Sequence, residues 1–220
     1  NYMDFLPVFL NLQKQQCLVA GEGPMAVQKI ELLLSGGASV HLSVQNQLCD
    51  TLKELSEKGR IKIIKDKIGE FEVKDYKLII AASEDLALNT SIVDIANQNN
   101  IPVNVVDQPE LCSFLFPSIV DRSPLIIAVS SCGKSTTLSR FIRNKVAAFL
   151  PEEFSPLAVM LGEFRHKMKP FLLTYEAKKD FWKNMIFSGS VVELFLSGKK
   201  DTAREILQEE LEKHKKRFNQ

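Results

Sequence analysis

The 220-residue sequence predicts an α/β fold: a parallel sheet with helices on both faces, followed by a smaller helical portion. Three observations predict it. Short apolar runs alternate with segments of helical period through the first hundred-odd residues, as parallel strands joined by crossover helices require. A glycine-rich turn joins an early apolar run to the first helix. Beyond Pro151, helical spacing alone remains.

Taken in order, Leu6 to Leu12 (LPVFLNL) and Cys17 to Ala20 (CLVA) read as short buried strands. Pro24 to Ser35 sets Met25, Ala26, Ile30, Leu33 and Leu34 at helical spacing, and Gly36-Gly37 stops it. Ala38 to Val44 is the next strand, and Gln47 to Lys58 a helix on Leu48, Leu52 and Leu55. Ile61 to Ile64 and Leu78 to Ala82 read as strands, Asn89 to Asn99 as a helix, and Pro102 to Val106 as a central strand ending at Asp107. After Pro117 the pattern changes. Leu125 to Ser130 is one more strong strand, and Lys134 to Leu150 a helix starting near Ser135. Further helices are broken at Ser188-Gly189 and Ser197-Gly198. The last, Asp201 to Arg217, carries Ala203, Ile206, Leu207 and Leu211 on one side, which must pack on something. The chain therefore divides into a sheet domain at 1–113, a linking segment at 114–148 and a helical domain at 149–220. Asn1 and Tyr2 ahead of Met3 read as residues added before a natural start.

A hydrophobic content of 45% supplies a full core, and Lys+Arg of 28 against Asp+Glu of 27 leaves a formal charge of +1. No global field draws the chain to nucleic acid or to an acidic membrane, so an anionic ligand must be caught locally. Cys17, Cys49, Cys112 and Cys132 form no C-x-x-C pair and no metal-like spacing with His41, His166 and His214. They read as reduced thiols of a cytoplasmic protein with no permanent metal. No apolar run approaches the eighteen or so residues of a membrane span, and no basic leader precedes an apolar one.

The stretch Gly21-Glu22-Gly23-Pro24-Met25-Ala26 follows a strand and opens a helix, the context of a dinucleotide-binding, Rossmann-like turn. Gly21 permits the tight turn, Gly23 lets backbone approach a pyrophosphate, and Ala26 lets the helix lie close to the strand. The helix N-terminus offers N–H groups to phosphates. Ordinary strand-to-helix turns share this spacing. Two features resist the dinucleotide reading. The second strand ends Leu42-Ser43-Val44-Gln45, with no acid for a ribose hydroxyl, so Ser43 or Gln45 stands in for it. A Glu22 carboxylate about 4 Å from a phosphate would cost about 4 kcal/mol at an effective dielectric near 20. Glu22 is therefore expected to face solvent, with Glu22→Gly changing cofactor affinity only modestly.

Several segments together resemble the N-terminal module of siroheme synthase, the precorrin-2 dehydrogenase and sirohydrochlorin ferrochelatase family. They are MDFLPVFLNL from Met3, the glycine turn with Lys29, IIAASEDLALN at 79–89, NVVDQPELCSFLFPSIVDRSPLIIAVSS at 104–131, and Phe181-Trp182. The long central block is the specific part. The resemblance implies a homodimer, with 114–148 as its dimerisation segment, that uses NAD to oxidise precorrin-2 to sirohydrochlorin. In bifunctional members Fe²⁺ insertion then gives siroheme. It implies Asp107 as the essential carboxylate and Ser131 as a residue of the tetrapyrrole site open to phosphorylation. It implies cofactor contacts from Gly21, Glu22, Gly23, Pro24, Met25 and Ala26, and from Ala82, Ser83, Glu84 and Asp85. The chain departs from the family at Glu22 and Gln28, where glycine and arginine are usual, and at Cys132-Gly133-Lys134-Ser135-Thr136, where Gly-Gly-x-Ser-Pro is usual.

Asp107 follows a strand end, where ligands of open α/β sheets bind, although an aspartate there also serves to fasten the Gln108-Pro109 turn. A carboxylate beside the macrocycle could take the proton lost as hydride leaves. Precorrin-2 carries eight carboxylates, and Arg122, Lys134, Arg140 and Arg143 are the candidates to pair with them. A phosphate on Ser131 would repel such a substrate. Two other classes compete. Gly133-Lys134-Ser135-Thr136 copies the end of a nucleoside-triphosphate loop, but the glycine required five residues earlier is Ala128. A non-catalytic NAD-sensing module is the other. Within the enzyme reading, the alternative is a dehydrogenase without chelatase function.

Overall fold

The computed structural model describes residues 2–66, 68–172 and 174–218; Asn1, read above as added, lies outside them, as do Lys67, Leu173 and the last two residues. Two compact units form. One runs to Phe116 and includes Cys132–Lys134; the other comprises Pro117–Ser131 and the chain from Ser135 onward.

In the first unit β1 (Gln16–Ala20), α1 (Pro24–Ser35), β2 (Ser39–Ser43), α2 (Asp50–Glu57) and β3 (Ile61–Ile64) wind in one direction. The chain then crosses back to β4 (Leu78–Ala81), α3 (Leu86–Gln98) and β5 (Val103–Val105). The five strands are parallel in the order β3-β2-β1-β4-β5, with Val19 paired to both Leu42 and Ile80. Every residue of β4 is buried, as expected of a strand covered on both faces. Leu18 and Ile79 pack with Ile92 and Val103 on one side, Val19 and Ile80 with Ile30 and Leu42 on the other. Each such side chain contributes about 1.5–3 kcal/mol by leaving water.

Helix α1 keeps its expected limits, with Pro24 at its first turn and Gly36 at its end. Helix α3 begins at Leu86 rather than Asn89, because the Asp85 carboxylate accepts from the N–H groups of Ala87 and Leu88 and so starts the helix earlier. Two expectations need correction. Leu6 to Leu12 is no strand: Leu6, Val8 and Phe9 are 72%, 67% and 73% exposed, and only Leu12 packs on the core. Pro7 lacks an N–H, and both neighbours of β1 are already taken by β2 and β4. The strand before Asp107 is the sheet edge rather than its centre, since no strand follows β5 in the order.

In the second unit β6 (Ser118–Arg122) and β7 (Leu125–Val129) form an antiparallel hairpin whose Ser123-Pro124 turn has a cis peptide. Helices α4 (Thr136–Phe149), α5 (Phe154–Met168), α6 (Tyr175–Lys183), α7 (Val191–Leu196) and α8 (Lys200–Phe218) follow, with a π-turn at Asn184–Ser188. Met160, Phe164, Phe181, Val191 and Leu207 belong to the core that α5, α6, α7 and α8 share. Ala203, Leu207 and Leu211 of α8 are buried and Ile206 partly so, which is the side the spacing predicts. Among the described residues no helix is long and apolar enough to cross a membrane.

Candidate active site

The sheet reverses its winding between β1 and β4, and the crevice beyond the C-terminal ends of such strands is where open α/β sheets take ligands. The loops there come from the residues singled out above. Gly21 has φ +135°, and a Cβ built on it would lie 2.3 Å from the Ala82 carbonyl oxygen. Only glycine lets the first turn press against the loop after β4 in this way. Gly23 has no atom within 4 Å of the place a Cβ would take. It caps α1 without any side-chain hydrogen bond, so the leading N–H groups of that helix remain available. Ala26 is fully buried beneath them, while Pro24 and Met25 are exposed.

On the β4 side, Ser83 Oγ accepts from the Asp85 N–H at 3.1 Å, and Asn89 Nδ2 donates to the Ser83 carbonyl at 2.9 Å. Asp85 is occupied as the cap of α3, while Glu84 is exposed. At the end of β2, Ser43 is buried with its hydroxyl 3.5 Å from the Asp66 carbonyl. Glu22 does not point freely into solvent as expected. Its Oε1 accepts from the N–H groups of Gln45 at 2.5 Å and Asn46 at 2.8 Å. Two backbone donors past the end of β2 thus find their acceptor in the carboxylate at position 22.

Asp107 is exposed just past β5 and holds a left-handed backbone, φ +61°. The turn around it is fastened by its own side chains. Val105 N–H donates to Cys112 Sγ at 3.1 Å, the thiol meets the carbonyls of Val105 and Gln108 at 3.3 Å, and Asn104 Nδ2 donates to the Phe114 carbonyl at 3.0 Å. Ser113 Oγ accepts from Val103 N–H at 2.7 Å. Burial pushes the Cys112 thiol up, which suits a structural role. The carboxylate is thus presented by a rigid loop.

Lys29 is the residue that reading the motifs one at a time leaves out. Its ammonium lies 4.7 Å from the centre of the Phe116 ring. Burial lowers its pKa, and the charges of Asp107 and Cys112 oppose that shift, so Lys29 and Asp107 share an electrostatic neighbourhood. The signal was present in the resemblance, where the Lys29 position is kept although Gln28 is not.

Of the remaining predicted residues, Arg122 ends β6 and the others lie in the loop and helix that follow β7. Ser131 Oγ donates to the Ser135 carbonyl at 2.8 Å and accepts from the Ser135 N–H at 2.9 Å, while Ser135 Oγ accepts from Leu138 N–H. Arg122 donates through Nη1 to the Asp121 carbonyl, and its buried Nε has no partner among the described residues. Lys134 and Arg140 are exposed, and Arg143 is half-buried. All four cysteines are free of disulfides, and among the described residues no group of three or more His, Cys, Asp or Glu side chains is arranged to hold a metal. The sequence reading also missed a groove of about 1260 Å³ in the second unit, where Leu161 and Trp182 meet Arg165, Lys169, Lys179 and Lys183. Its cations come from two helices and form no linear pattern.

Comparison with known proteins matches residues 8–118 to the family described as "Putative NAD(P)-binding" and residues 153–211 to the sirohaem synthase dimerisation region. The chain is 39% identical over 210 residues to the siroheme synthase of Ruthia magnifica subsp. Calyptogena magnifica, covering 96% of this chain and 44% of that protein. It is 40% identical over 209 residues to the siroheme synthase of Pseudomonas aeruginosa strain UCBPP-PA14, covering 95% of this chain and 44% of that protein. The chain therefore spans somewhat less than half the length of these curated relatives. Its fold is similar to that of SirC, a precorrin-2 dehydrogenase, with a TM-score of 0.73 at 22% identity, over 95% of this chain and all of that one. A sheet wound in the order β3-β2-β1-β4-β5, an uncapped glycine turn on it and both family matches lead to one assignment: the chain belongs to the siroheme synthase N-terminal family, an NAD(P)-binding domain joined to a sirohaem synthase dimerisation region.

Proposed function

We propose that the chain oxidises precorrin-2 to sirohydrochlorin with NAD as hydride acceptor and then assists insertion of Fe²⁺ to give siroheme. The observation that carries this reading is the exposed carboxylate of Asp107, held by a self-fastened turn at the same C-terminal end of the parallel strands as the open glycine turn. The residues present suit a dinucleotide. The space beside Gly23 and the uncapped N-terminus of α1 fit a pyrophosphate, with Gly21, Pro24, Met25 and Ala26 shaping the turn and Ala82 and Ser83 bordering it. Bound there, the nicotinamide supplies the hydride acceptor.

The oxidation removes one hydride and one proton from the macrocycle. Asp107 accepts the proton as the C–H bond yields its electron pair, and nearby Lys29 offsets the negative charge of that carboxylate beside a polyanionic substrate. In metal insertion the same carboxylate takes pyrrole protons in turn. Arg122, whose Nε has no partner among the described residues, and exposed Lys134 and Arg140 are the proposed partners of substrate carboxylates, with Ser131 as a site where phosphorylation would repel them. A homodimer is supported by the matched dimerisation region and by the apolar face that α4 leaves exposed at Leu138, Phe141 and Ile142. The four thiols suit the cytoplasmic setting proposed here.

The test supplies precorrin-2 and NAD⁺ anaerobically, follows sirohydrochlorin by absorbance, and then adds Fe²⁺ or Co²⁺. Oxidation followed by metal insertion faster than the uncatalysed rate is expected. Oxidation alone restricts the function to dehydrogenation. NAD⁺ binding with no oxidation overturns the enzyme reading in favour of a sensing module.

A further inference from the structure

The end of β2 is where dinucleotide-binding sheets usually place an acid that takes the ribose hydroxyls of adenosine. This chain has none in Leu42-Ser43-Val44-Gln45, and the hydroxyl of Ser43 is turned to the Asp66 carbonyl in a buried position. A carboxylate stands there all the same. It is that of Glu22, which leaves the glycine turn and is pinned by Oε1 to the N–H groups of Gln45 and Asn46. Both donors use the same oxygen, so Oε2 has no partner among the described residues and is left to accept from another donor.

From this we infer that Glu22 is the ribose-reading acid of the site and makes the chain select NAD over NADP. The inference rests on the reading that the glycine turn holds a nicotinamide dinucleotide. A carboxylate fixed by two backbone donors loses little freedom when it accepts from a ribose hydroxyl, and it repels a 2′-phosphate at the same place. The cost expected of an acid between the glycines then disappears, because the side chain is drawn sideways to β2 rather than over the α1 N-terminus. The family match reads only NAD(P), so position 22 is what would decide between the two cofactors in this chain.

The test is calorimetric titration of the full chain and of Glu22→Gln with NAD⁺ and NADP⁺. Glutamine keeps an oxygen for the N–H groups of Gln45 and Asn46 and removes only the charge, so the fold is retained; Glu22→Gly removes both. The unsubstituted chain is expected to bind NAD⁺ about a hundredfold tighter than NADP⁺, and Glu22→Gln to narrow that ratio about tenfold. A ratio that Glu22→Gln leaves unchanged while NAD⁺ still binds overturns this assignment alone. Failure of the unsubstituted chain to bind either nucleotide overturns the assignment together with the cofactor reading.

Discussion

Two strand-to-helix turns of this chain look alike in sequence and behave differently in space. The first, Gly21 to Ala26, follows β1; the second, Ser131 to Thr136, follows β7 and ends in Gly-Lys-Ser-Thr. The first leaves its helix without a side-chain cap and keeps open space beside Gly23. The second closes on itself. Ser131 and Ser135 exchange two hydrogen bonds, Ser135 caps α4, and a Cβ on Gly133 would lie 2.9 Å from Pro109 Cβ. What separates the two turns is that the second spends its serine hydroxyls on its own backbone, the Leu138 N–H included, while the first commits no side chain to its helix, and short motifs do not show that. The resemblance of the second turn to a nucleoside-triphosphate loop thus ends at its letters.

Substitutions can break this comparison in order of expected size. Gly21→Ala brings a Cβ against the Ala82 carbonyl at positive φ; a loss of about 3 kcal/mol in urea unfolding is expected, together with loss of NAD⁺ binding by calorimetry. Gly133→Ala also strains a positive φ, +79°, but the close contact it makes is with the Pro109 ring rather than with backbone, and Leu115 Cδ1 at 3.9 Å is an ordinary neighbour. About 1–2 kcal/mol is expected by the same unfolding assay, with NAD⁺ affinity held within about twofold. Ser135→Ala removes the α4 cap and is expected to cost about 1 kcal/mol, again leaving NAD⁺ affinity in place. Equal loss of NAD⁺ binding in all three would erase the distinction between the turns.

The smallest effect concerns the strand that feeds the first turn. Burial pushes the Cys17 thiol up to about 11. The folded state then holds its proton where the unfolded chain loses it. Stability from this group is full below about pH 9 and falls as pH rises through about 11, which denaturant midpoints across that range should show. Cys17→Ala is expected to flatten the decline.

Much of the first unit was legible because its punctuation is local. Pro24 and Gly36 bound α1, and the unbroken apolar run of β4 marks a strand covered on both faces. What escaped is what pairing decides. Leu6 to Leu12 is largely apolar but pairs in no strand, and β5 sits at the edge because strand order is set by packing of the whole sheet. β6 has neither a clean alternation nor an unbroken apolar run, and only its pairing with β7 makes it a strand. In the site, Asp107 and the glycine turn stood out by type and position. The link from Glu22 to Gln45 and Asn46 did not, since a side chain reaching a backbone more than twenty residues away leaves no pattern along the chain. Cys112 escaped for a related reason: its bonds are to backbone, which any sequence supplies.

Asn104, Cys112 and Ser113 already hold the turn around Asp107 together, which leaves its carboxylate for the proposed work on substrate protons. Single-turnover oxidation of precorrin-2 by Asp107→Asn, with NAD⁺ affinity measured on the same preparation, tests this directly. The prediction is unchanged NAD⁺ binding with a rate lower by about 10²–10⁴-fold. A rate near that of the unsubstituted chain, with binding intact, would contradict it.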